Sequence, residues 1–352
     1  MAKRTRSDEI AETDRIEGFA HPRETTRLVG HDWALARVAR SIRTGRPPQA
    51  WLISGPPGVG KATLAYRMAR YVLAFGATEK GPADLSVPER DSAAVQLAAA
   101  SHPGLLVLKR GLNPDTGRLM NVLSVAVVRS LAGFFGMTSV SGGWRVVIVD
   151  TADDMNDSAA NAILKLLEEP PSRAMLILIA NRPGQLLPTI RSRCQRLDLR
   201  PLDDKTVADA LKTYLPDAEA EERRSLARLS GGSIGAALSL AEGEGRELAA
   251  EADKLIESAS APDVVALLAL GDRLWRIRDG LSRFGDFLIE ALAGRIRARA
   301  HQPAQNLRAW TLLLARLEEN FARARGLNLE PRQTVLSAAR ELKATSRRAG
   351  AI

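Results

Sequence analysis

The chain has one cysteine, Cys194, so it can form no intrachain disulfide and no multi-cysteine metal site. Its four histidines (His21, His31, His102 and His301) are scattered, with none at the short spacings that hold a metal ion, and no metal site is expected. Aromatic residues are only 4% of the total, which leaves the cores to leucine, alanine, valine and isoleucine. No run reaches the roughly 18–20 unbroken apolar residues that a membrane-spanning helix needs. Met1–Arg15 is polar and mixed in charge, without the apolar stretch of a signal peptide. These absences point to a reducing, cytoplasmic setting with no membrane partner.

What is present is an ordinary globular balance of 45% apolar and 26% charged residues. At 352 residues the chain is long enough for two or three cores. The net charge of +9 suits a partner that carries phosphates, and equally suits an arginine-rich surface with no such partner.

Residues 1–25 read as a polar arm. From Leu28 to about Leu202, short β-branched runs alternate with helical stretches, which predicts a βαβ succession and a mostly parallel sheet. The expected strands are Trp51–Ser54, Leu105–Leu108, Arg145–Val149, Met175–Ala180 and Gln195–Leu199. The first four are almost continuously apolar, as for strands covered on both faces, whereas the last alternates and belongs nearer an edge. Asn156 is placed to cap a helix through Ala160, Ile163, Leu164 and Leu167, ended by Pro170-Pro171. Ser124 is placed to cap another through Val127, Val128, Leu131 and Phe135, and a helix over Ser92–Ala100 is expected in the long connection 76–102. After Pro201 the strand signal ends. Residues 203–242 predict two or three short helices, and Gly243–Gly245 reads as a linker. Beyond it Phe284, Phe287, Leu288, Leu292 and Ile296 share one helical face, as do Leu307, Trp310, Leu314, Leu317 and Phe321. Core packing, not base stacking, is the expected use of those aromatics.

The strand WLIS runs into GPPGVGKAT and then into an apolar-periodic helix, the context a phosphate-binding loop requires. Gly55, Pro56, Gly58, Val59 and Gly60 form the turn, whose glycines let backbone amides curl round phosphate oxygens, and Lys61 supplies a charge. The next position normally carries a hydroxyl that ligates Mg²⁺, but here it is Ala62. Thr63 is turned by about 100° around the helix and cannot simply replace it. ATP or ADP is thus expected at most at a degenerate loop with compromised Mg²⁺ placement. RVVIVD ends in Asp150, where a second metal-holding carboxylate belongs, but the following residue is Thr151 rather than a water-orienting glutamate. Asp153 and Asp154 read as solvated acids or caps, not as a displaced base.

The stretch Val147–Leu202, with NAILKLLEEPP and LLPTIRSRC, resembles the core of bacterial DNA polymerase III clamp-loader subunits of the AAA+ family. LVGHDWA (Leu28–Ala34) resembles the segment that closes over adenine, and GGSIGAAL (Gly231–Leu238) the lid helix that carries a sensor arginine. The resemblance covers 28–242 well; the tail is similar to the family's oligomerising collar by position and composition only. Family members of this kind usually carry four zinc-binding cysteines between the two nucleotide motifs, which this chain lacks.

The resemblance implies an α/β P-loop module with a parallel sheet over 26–202, a small helical lid over 203–243 and an all-α C-terminal bundle over 244–352. With Ala62, Thr151 and Gly235 at three positions that ATP-hydrolysing members fill with threonine, glutamate and arginine, it implies the delta-prime type, a stator with little ATPase of its own. The implied partners are gamma/tau-type ATPases, a delta-type clamp opener and, through the complex, the sliding clamp and primed DNA. The intact Ser192-Arg193-Cys194 implies that Arg193 acts as an arginine finger in a neighbour's site, with Arg191 able to share that role. The alternatives are an ATP-hydrolysing gamma/tau-type motor and, from another class, a small-molecule P-loop kinase or DNA-repair ATPase.

Overall fold

The computed structural model describes residues 16, 18–78, 80–111, 120, 122–123, 130–131, 133–135, 143–241, 244–277, 280–299, 307–327, 329–350 and 352. They divide into two compact units, one of residues up to Ala210 together with Ser233–Gly235, the other of Leu211–Gly232 with Ala236–Ile352.

The first unit is a five-stranded sheet of β1 (Ala50–Ser54), β2 (Leu105–Leu108), β3 (Arg145–Val149), β4 (Ala174–Ala180) and β5 (Gln195–Asp198). All pairings are parallel and the order is β2-β3-β4-β1-β5. The two-residue period of the strands sorts their side chains onto opposite faces. Trp51, Ile53, Met175, Ile177 and Ile179 join one core with α1 (Asp32–Arg43) and α2 (Lys61–Phe75). Leu52, Leu176, Leu178, Val147 and Val149 join the other with α4 (Asp157–Glu168) and α5 (Pro188–Arg193). Strands buried on both faces must read as continuous apolar runs, and β1 and β4 do.

β2 departs from that expectation. It is an edge strand with Leu105–Val107 only partly buried, although LLVL is as apolar as any central strand. The alternating β5 takes the opposite edge. α3 spans Ser92–Ala98 and stops two residues short of the expected end, because Ala100 has entered the left-handed region at φ 53°. Asn156 caps α4 as expected, accepting from the Ala159 amide at 2.9 Å. Of the helix expected from Ser124, the cap and Val127-Val128 lie outside the described residues, while Leu131, Phe134 and Phe135 are helical.

α6 (Asp204–Tyr214) and α8 (Ile234–Ala241) each contribute residues to both units, and α7 (Ala220–Leu229) belongs to the second. That unit continues through α9 (Gly245–Glu257), α10 (Val264–Arg276), α11 (Gly280–Arg299), α12 (Leu307–Leu327) and α13 (Pro331–Ala349). Gly245 opens α9 instead of ending a linker. Phe284, Leu288 and Leu292 of α11 meet Trp310, Leu317 and Phe321 of α12 in one buried cluster. The rings of Phe284 and Phe321 pack edge-on at 6.3 Å, so these aromatics are core. Among the described residues no helix is long and apolar enough to cross a membrane.

Candidate functional site: a phosphate loop and an exposed arginine

Parallel strands deliver their carboxyl ends to one edge of a sheet, and the connections there are where α/β proteins build sites. β1 ends in Ser54 before Gly55, and its sheet neighbour β4 ends in Ala180 before Asn181. β3, on the far side of β4, ends before Asp150. Gly55 sits at φ 147°, and a Cβ there would strike the Leu199 carbonyl, so this position admits only glycine.

The backbone carbonyls of the loop are taken up by the unit itself. The Lys61 ammonium donates to Gly55 O at 2.8 Å and Pro56 O at 2.6 Å. Ser233 Oγ donates to Pro57 O at 2.9 Å, and the Gly235 amide to Gly58 O at 3.0 Å. His31 Nε2 lies 2.9 Å from Val59 O, and the Leu64 amide bonds Gly60 O at 3.0 Å. Burial lowers the His31 pKa, which favours a neutral ring, and the carbonyl acceptor selects the tautomer with hydrogen on Nε2. Lys61 is only 5% exposed, and burial pushes its pKa down to about 8 against the opposing pull of Asp150 and Asp153.

Gly235 does more than lack a sensor arginine. A Cβ at this position would lie 2.7 Å from Gly58 Cα, so glycine is what lets the start of α8 rest on the phosphate loop. A larger residue would need the two backbones to move apart.

The second nucleotide motif is also altered in its backbone. Thr151 sits in the left-handed region at φ 57°, ψ 61°, a strained place for a β-branched residue, and its hydroxyl turns back to Asp150 O at 2.7 Å. Of the two roles expected for Asp153, solvated acid or cap, the first does not hold. Its side chain is 1% exposed, and its carboxylate accepts the Asn181 and Arg182 amides at 3.1 and 3.0 Å, tying the tip of β4 to the segment after β3. Asp154 pairs with Arg110 at 3.3 Å, and burial raises its pKa. Ala62 is partly buried against the apolar core and Thr63 is also partly buried. With no hydroxyl at 62 and no carboxylate at 151, the arrangement does not fit a Mg²⁺–nucleotide held for hydrolysis.

Arg193 closes the short helix α5, whose first residue, Pro188, supplies a pre-set φ. Its side chain is 39% exposed; one nitrogen bonds Thr189 O at 3.1 Å and another pairs with Glu168 at 3.0 Å. The two most distinctive sequence segments, LLEEPP and SRC, therefore meet in one ion pair. Arg191 is half-buried, with a sequestered Nε that has no partner among the described residues. Cys194 is buried and its thiol is pushed up to about 12, so it is a packing residue and not a nucleophile. Sequence reasoning missed His31, Ser233 and Asn181; the glycine-rich turn before Ser233 was the nearest signal.

A family model described as DNA polymerase III, delta subunit, matches residues 30–203. DNA polymerase III subunit delta' of Pseudomonas aeruginosa is 39% identical over 204 residues, 58% of this chain and 58% of that one. The subunit of the same name from Escherichia coli is 33% identical over 208 residues, 59% of each chain. DNA polymerase III subunit tau of Escherichia coli is 27% identical over 317 residues, 88% of this chain and 45% of that one. A parallel five-stranded α/β module with a phosphate loop at its carboxyl edge defines the class, and over residues 30–203 the chain is similar to subunits of DNA polymerase III. Among them it is similar to the delta-prime subunits of Pseudomonas aeruginosa and Escherichia coli, of whose length the match spans about three-fifths.

Proposed function

We propose that this chain serves as a delta-prime-type stator of a DNA polymerase III clamp loader, hydrolysing little ATP itself and lending Arg193 to the ATP site of an adjacent subunit. The observation that carries the reading is a contrast within one unit. The phosphate loop has lost its metal hydroxyl and water-orienting carboxylate and is packed against Ser233 and Gly235, whereas Arg193 stands at an exposed helix end. A guanidinium held there by a half-exposed carboxylate can exchange it for phosphoryl oxygens, which its planar fork fits better than an ammonium does. Its partners would be gamma/tau-type ATPases and a delta-type clamp opener, with the helical C-terminal residues packing into a ring in the cytoplasm. The assembled machine would place a sliding clamp on primed DNA. ATP or ADP at this chain's own loop would have to draw Lys61 away from Gly55 and Pro56. The similarity to a tau subunit keeps a hydrolysing motor as the second reading, and Ala62 and Thr151 oppose it.

Turnover by the purified chain separates the two readings. The stator is expected to hydrolyse ATP far below about 1 s⁻¹, the scale of working enzymes. Ala62→Thr alone should not restore hydrolysis, because position 151 still lacks its carboxylate. Turnover near that scale by the unaltered chain would overturn the proposal.

A further inference from the structure

α1 buries Ala34, Val38, Ala39 and Ile42 and turns its opposite side outward. At about 100° per residue, Trp33, Arg37, Arg40 and Thr44 fall within about 40° of one line along the exposed side. Trp33 is 47% exposed, a large aromatic surface to leave on a helix whose other apolar residues are mostly covered. Arg37 and Arg40 are exposed and have no hydrogen-bond or ion-pair partner among the described residues. Asp32, the helix's single acid, lies about 100° away around the axis. The stripe thus offers one ring and two unpaired guanidiniums, about 6 Å and 10 Å along the helix from Trp33, with no carboxylate among them.

We propose that this face of α1 binds single-stranded nucleic acid, Trp33 stacking on a base while Arg37 and Arg40 take neighbouring phosphates. The chemistry favours this occupant over an acidic protein surface. A planar ring beside fixed cations serves a ligand that alternates faces and phosphates, and every base has a face to stack on. Duplex DNA hides those faces and would gain only the two phosphate contacts. Binding would be tolerant of sequence and sensitive to salt. This inference is independent of Arg193 and of the condition of the phosphate loop, so it can fail without them.

The test uses the full chain and a labelled oligothymidylate of about 20 nucleotides, followed by fluorescence anisotropy over a range of salt. Arg37→Glu with Arg40→Glu should lower affinity at least about tenfold and flatten the slope of log K against log salt by about 1.4, two contacts at roughly 0.7 each. Trp33→Ala should lower affinity about tenfold while Trp33→Phe keeps most of it, since phenylalanine still stacks. Arg90→Glu reverses an exposed charge outside α1 and should leave binding unchanged. The proposal is overturned if the unaltered chain shows no binding at low salt, if Arg90→Glu costs as much as the α1 pair, if Trp33→Ala has no effect, or if duplex competes as well as single strand. It is also overturned if the α1 variants keep oligonucleotide binding but lose a co-purifying polypeptide, which would make the face a protein interface.

Discussion

At the tip of β1 the phosphate loop keeps its glycines and its lysine, yet its polar groups are turned inward. Lys61 is spent on Gly55 and Pro56, and the start of α8 rests on Gly58. At the end of α5 the reverse holds, with Arg193 exposed and tied by one half-exposed carboxylate and one carbonyl. A buried ammonium is costly to rearrange, because moving it means finding new partners in a desolvated place. An exposed pair is worth about 0–1 kcal/mol and can be traded for a better partner at small cost. The difference teaches that one motif can have its polar groups satisfied within the unit while another leaves a guanidinium exposed at a helix end.

The largest expected effect tests whether the loop is kept for structure. Gly55→Ala places a side chain at φ 147° against a backbone carbonyl, which should cost about 3 kcal/mol or more. Thermal unfolding should show Tm lower by about 6–12 °C. An unchanged Tm would mean that the loop is not held as tightly as its contacts indicate.

A smaller effect sharpens the comparison through pH. The folded Lys61 titrates at about 8 against an ordinary 10.5, so between those values the unfolded chain binds more protons. Stability therefore rises with pH through that window, the burial cost being fully present below about pH 8 and gone above the unfolded value. Measured against Lys61→Met, the unaltered chain should gain about 2 kcal/mol between about pH 7 and pH 9.5. Parallel stability curves for the two would show that the ammonium is not confined as described.

Much of the first unit was legible because two-faced burial and loop chemistry leave local marks. β1, β3 and β4 read as apolar runs, Asn156 sits where a cap belongs, and a glycine-rich turn between strand and helix has few other uses. What was not legible rests on pairings between distant residues. LLVL reads the same at the edge as in the middle, so the position of β2 followed only from the sheet order. Asp153 read as a solvated acid or a cap, and nothing local shows that the amides of Asn181 and Arg182 satisfy it in the interior. Ser233 and Gly235 meet the loop across some 175 residues of chain, and no periodicity reports such a contact. The departures at Ala62 and Thr151 were visible in sequence, but the left-handed backbone of Thr151 was not.

The central claim is that Arg193 acts on a neighbour's nucleotide, and a reconstituted ring tests it most directly. Arg193→Ala chain is mixed with unaltered partners, saturating clamp and primed DNA, and ATP turnover and clamp loading are measured together. A finger acts on charge that develops in the transition state, so folding, assembly and the partner's ATP binding should be nearly unchanged. Because one ATP site of several is affected, total turnover should fall only in part, while loading falls by about tenfold or more. Arg193→Lys should recover little, since an ammonium lacks the planar fork. Loading at the unaltered rate with Arg193→Ala would contradict the account and leave Arg193 an ordinary surface residue.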